Sequence, residues 1–63
     1  MFNNELVTKM EQNLGKEKVI EFAGMITVMY EVLDKENPGT ENGYERDWWA
    51  EKHKELLKQK QKL

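Results

Sequence analysis

A small all-α domain of three helices is the architecture that this 63-residue sequence predicts, with a short first helix followed by an antiparallel helical hairpin. Three observations carry it. Apolar residues recur at i, i+3 and i+4 in three separate segments. Gly15 and the Pro38-Gly39 pair fall between those segments, where a helix has to end. No segment keeps the period-two alternation of a strand.

The first helix is predicted over residues 4–14, with Leu6, Val7, Met10 and Leu14 on one face. Asn3 or Asn4 is placed to cap its start, since a side-chain oxygen there accepts from an unpaired backbone N–H. Gly15 ends it, because glycine tolerates the backbone conformations found just past a helix.

The second helix is predicted over residues 16–36, "KEKVIEFAGMITVMYEVLDKE". Its main face carries Val19, Phe22, Ala23, Ile26, Met29, Tyr30 and Leu33. A second stripe of Met25, Val28 and Val32 lies beside it, and together the two cover roughly 220° of the circumference. Glu17, Glu21, Gly24, Thr27, Glu31, Asp34 and Lys35 form the polar remainder. A surface helix needs an apolar stripe of only about 100° or a little more. This helix therefore needs at least two neighbours.

The third helix is predicted over residues 44–62, opened by Asn42 and Glu45 as a capping box. Tyr44, Trp48, Lys52 and Leu56 make one row, and Trp49, His53 and Leu57 the next. Its basic end suits the negative end of the helix dipole. The three helices make one domain, residues 1–63.

Size and composition bound the function. A chain this short buries only about 60% of the surface its unfolded form exposes, so association or a metal is a common aid. There is no cysteine, which removes disulfides and thiolate metal sites. The start "MFNNELVTKM" has neither the basic flank nor the apolar run of a signal peptide. No segment reaches the roughly 18 apolar residues of a membrane span. The expected location is the cytoplasm. Charged residues are 35% of the chain yet the net charge is −2, so acids and bases are mixed over solvated helix faces.

The segment "DKENPGTENGYE", Asp34 to Glu45, has the outline of a calcium-binding EF-hand loop. Asp34, Asn42 and Glu45 match the first, ninth and twelfth places, and Gly39 the sixth. Glu36 is long for the third place, Pro38 brings no side-chain oxygen to the fifth, and no second loop exists to pair with. The same residues serve as a turn: Asn37 leaves the helical region before Pro38, Pro38-Gly39 turns, and Asn42 caps. A structural turn is the preferred reading, and Asp34, Asn42 and Glu45 are the metal candidates if it fails.

Other chemistry has little support. His53 is the sole histidine and has no ligand partners at metal-site spacing. Serine is absent, the four glycines are scattered, and the threonines carry no nucleophile signature. The glutamates sit at helix-surface spacing and suggest no paired-carboxylate site. No catalytic residue and no cofactor is assigned, and the chain reads as non-enzymatic. The lysines between Lys52 and Lys62 are interrupted by Glu55, which ranks nucleic acid below other partners.

"DWWAE" is the most informative short segment. Adjacent helix residues point about 100° apart, so one of Trp48 and Trp49 fills the gap between helices while the other lies at its edge. Tryptophan is also a favoured interface anchor. The leftover stripe of Met25, Val28 and Val32, flanked by Trp48 or Trp49, is the predicted interface. The expected function is a protein–protein interaction module, an adaptor, inhibitor or scaffold, forming a homodimer or binding another protein. In size and style the chain is similar to the small accessory proteins of phages and mobile elements. A metal-responsive protein using the 34–45 loop and a nucleic-acid-associated protein using the basic end are the alternatives.

Overall fold

A computed structural model of the chain describes residues 2–61, all in helices apart from Gly15 and the short link at 37–40. Helix α1 spans Phe2–Leu14, α2 Lys16–Glu36 and α3 Glu41–Gln61. No strand occurs among the described residues. The predicted extension of the third helix to Lys62 lies outside them. At about 1.5 Å per residue, 21 residues run about 32 Å. The longest dimension of the molecule is 38 Å, so α2 and α3 lie along it.

Glycine makes both breaks. Gly15 takes φ 85 and ψ 159, a region closed to residues with a Cβ, and its N–H still donates to Glu11 O at 3.1 Å. The chain thus turns sharply and α2 begins one residue after α1 ends. Gly39 takes φ 83 after Pro38, the positive φ expected of this turn. Asn37 closes α2 by donating its N–H to Leu33 O at 2.9 Å.

Helix starts differ from the sequence expectation. α3 begins at Glu41 rather than Tyr44, because Thr40 supplies the terminal partner in place of Asn42. The Thr40 hydroxyl accepts from the Asn42 N–H at 3.3 Å and donates to Asn37 O at 2.9 Å. Glu45 closes no capping box; its carboxylate instead accepts from Asn3 Nδ2 at 2.7 Å. Asn3 and Asn4 are no caps either, since α1 already runs from Phe2. Asn3 spends its side chain on joining α1 to α3.

The core is one cluster: Val7 from α1, Val19, Ile20 and Ala23 from α2, and Trp49 and Leu56 from α3. Met10, Ile26, Tyr30, Trp48 and Leu57 pack around it, half-buried. Burying such side chains, at about 1.5–3 kcal/mol each, is the main force holding three marginal helices together.

The buried face of α2 is rotated from the predicted one. Phe22 and Met29, expected on the main face, are exposed. Gly24, Thr27 and Asp34, expected in solvent, turn half-buried toward α3. The reason is steric. A Cβ placed on Gly24 would lie 3.3 Å from His53 Nε2, so α3 approaches α2 over its smallest residues. Thr27 fits this close lane by donating its hydroxyl to Ala23 O at 2.8 Å. Ile20, which lies on this side, is buried with them.

Contacts along the two long helices run in opposite order. Lys16 Nζ meets Gln59 Oε1 at 3.3 Å and Lys60 Nζ meets Glu17 Oε1 at 3.2 Å. Gly24 faces His53, and Asp34 Oδ2 meets Arg46 Nη1 at 2.7 Å. These polar ties flank the core and are mostly exposed, so they specify register more than they add stability.

Candidate interaction surface

Ala23 is fully buried at the centre of the packed face of α2. Nine residues further on, Val32 lies about 900° around the helix, on the opposite side. That outer side carries a continuous apolar strip. Met25, Val28, Val32, Met29 and Phe22 are 64%, 59%, 52%, 47% and 37% exposed. Four of the five have lengthy or β-branched side chains that stand about half in solvent. Leu6 and Leu14 add exposed apolar surface on α1.

Beside the strip runs an open groove of about 650 Å³, lined by Ile20, Glu21, Gly24, Met25, Val28, Met29 and His53. Gly24 forms its floor, since the missing side chain lets the His53 ring lie against the helix backbone. Among the described residues, Glu21 and His53 are the polar side chains on its wall. Such a surface can hold apolar side chains of another helix but offers few groups to orient a polar substrate.

The tryptophans are divided as their adjacency demands. Trp49 is 2% exposed and fills the gap between helices. Trp48 stands at the edge, half-buried, with its ring centroid 5.0 Å from that of Trp49 in an edge-to-face arrangement. Lys52 Nζ lies 5.3 Å over the Trp48 ring. Trp48 borders a different depression, shared with Asn4 of α1, Tyr44 and Glu51. The groove beside the α2 strip is lined from α3 by His53. Trp48 and His53 lie about 140° apart around α3.

Two of the metal candidates, Asp34 and Glu45, have protein partners. Asp34 sits in the last turn of α2 and is paired with Arg46. Asn42 lies in the first turn of α3, and Glu45 accepts from Asn3. Only residues 37–40 are non-helical, whereas an EF-hand wraps its ion in a loop of about 12 residues. Among the described residues no group of three or more His, Cys, Asp or Glu side chains gathers as a metal site would. Arg46 is paired with both Asp34 and Asp47. Its hydrogen bond to Asp47, at 3.1 Å, and the charges of Asp47 and Asp34 raise its pKa above the ordinary value.

Phe22, Met29, Gly24 and His53 are members of this surface that sequence reasoning did not assign to it. The lane Ala23, Gly24 and Thr27 held the signal. Small residues at that spacing mark where another helix approaches closely, and that fixes which apolar residues remain outside. No described helix is long and apolar enough to cross a membrane. In comparisons with protein-family models, curated proteins and solved structures, nothing matches this chain.

Proposed function

We propose that the chain is a non-enzymatic protein–protein interaction module that self-associates through the outer face of α2. The observation that carries it is the exposed strip of Phe22, Met25, Val28, Met29 and Val32. Stable monomers rarely expose a contiguous apolar patch of this kind, and one that does usually marks an interface. A small domain also gains most from such burial, because its own core is limited. Within each copy, α2 and α3 make an antiparallel hairpin; the opposite-order contacts from Lys16–Gln59 to Asp34–Arg46 support it. An adaptor, inhibitor or scaffold would use the same face.

Sedimentation equilibrium tests the proposal. The wild type is expected to be dimeric at micromolar concentration. Val28→Glu places a carboxylate in the strip, where desolvation costs several kcal/mol, so it is expected to give monomers. Glu31→Lys, off the strip, leaves assembly intact. A folded wild-type monomer at high micromolar concentration would remove self-association.

A further inference from the structure

We infer that two copies pair α2 against α2 in opposite directions, about a two-fold axis between Thr27 and Val28. This inference deepens the self-association proposed above and rests on it. The first observation is clearance. The strip points about 180° away from buried Ala23, so neither α1 nor α3 stands between it and a second molecule.

The second observation is the placement of charge at the two ends of the strip. Lys18 and Glu21 lie at its start, Lys35 and Glu36 at its end, all exposed. Lys18 and Glu36 are separated by five full turns at 100° per residue, so they lie in line with the strip, one beyond each end. Glu21 and Lys35 lie about 40° from each other on the Val28 side of the strip, and within one copy Glu21 Oε2 also meets Lys18 Nζ at 3.7 Å. A two-fold axis perpendicular to α2 reverses the helix and keeps each edge on its own side. It brings Lys18 to Glu36 of the second copy, and Glu21 to Lys35 of the second copy.

These pairs centre within one residue of each other. Lys18 and Glu36 are symmetric about residue 27, Glu21 and Lys35 about residue 28. The apolar residues obey the same centre: Phe22 meets Val32, Met25 meets Met29, and Val28 lies close to its own copy. An interface of this symmetry must be self-complementary, and the strip has the required order of residues. The exposed ion pairs add little affinity but select register. A parallel pair would also let Lys18 approach Glu21 of the other copy, yet it sets like ends of the two helix dipoles together. The opposite-direction pair sets unlike ends together.

Cysteine cross-linking tests the arrangement on a background without cysteine. In a glutathione buffer, an equimolar mixture of Phe22→Cys and Val32→Cys is expected to form the mixed disulfide. Phe22→Cys alone is expected to remain reduced, because its two copies stand about 15 Å apart along the pair, beyond the roughly 7 Å between Cα atoms that a disulfide tolerates. A Phe22→Cys homodimer with no mixed species would overturn the arrangement. Charge exchange gives an independent arm. Lys18→Glu is expected to weaken the dimer about threefold, and adding Glu36→Lys to restore it. Sedimentation of the same proteins separates the two levels: dimers with the wrong cross-link refute the geometry alone, and monomers refute self-association with it.

Discussion

Gly24→Ala places a methyl group where α2 and α3 come closest, and its effect can be worked from the contact. Gly24 has ordinary helical backbone, as only Gly15 and Gly39 have positive φ among the described residues. Alanine therefore fits the backbone, and it is favoured over glycine in a helix interior by about 0.8–1.0 kcal/mol. Against this stands the His53 ring. The new Cβ would lie 3.3 Å from Nε2, 3.5 Å from Cε1 and 3.8 Å from Cδ2. Carbon contacts are comfortable from about 3.5 Å, so the ring has to yield by a few tenths of an ångström. It is half-buried and sits at the end of a rotatable side chain, so a small torsional adjustment suffices. A 30° excursion would cost about 0.5–1.5 kcal/mol, and this shift is well under that. The balance is a net stabilisation of about 0.5 kcal/mol, or about 2–4 °C in Tm for a domain of this size. In a His53→Ala background the contact is gone, and Gly24→Ala should gain the full 1 kcal/mol or so. The assay is thermal unfolding followed by circular dichroism for the four members of this double-mutant cycle, at a concentration where each sediments as one species. A loss of about 1 kcal/mol in both backgrounds would refute the reasoning, for the methyl would then be meeting something other than a movable imidazole.

Two further predictions address the turns and the core. Gly39→Ala meets no atom within 4 Å, so its cost is the positive φ alone, about 1 kcal/mol or more. Gly15→Ala adds a ψ of 159, a region held almost only by glycine at about 1–3 kcal/mol, and should lower Tm further than Gly39→Ala does. Equal losses would mean the two turns impose the same strain. Acrylamide quenching should separate the tryptophans: Trp49→Phe leaves the half-buried Trp48 and strong quenching, while Trp48→Phe leaves the enclosed Trp49 and weak quenching. Equal quenching of the two variants would contradict the burial of Trp49.

Much of the architecture was legible in the sequence because it depends on local rules. Three helices follow from periodicity, and the breaks at Gly15 and Pro38-Gly39 follow from which residues can leave the helical region. The division of Trp48 and Trp49 into edge and centre follows from a 100° step. The exposed positions of Met25, Val28 and Val32 were legible too, since so wide an apolar surface exceeds what a short first helix and one long partner hide.

What the sequence left open was rotation. A helix apolar around most of its circumference does not say which arc faces inward. Phe22 and Met29 fall on the predicted main face and Ile20 on neither stripe, and hydrophobicity alone could not rank them. The decision came from how closely α3 can approach, and that is set by Ala23, Gly24 and Thr27 together with the ring of His53. The same holds for the polar ends. Asn42 and Glu45 satisfy a local capping pattern, yet Thr40 takes the cap and Asn3, distant in sequence, takes Glu45. Patterns within one helix are determined by the chain locally. The choice among equivalent faces and partners is made by distance between helices, which exists only once they pack.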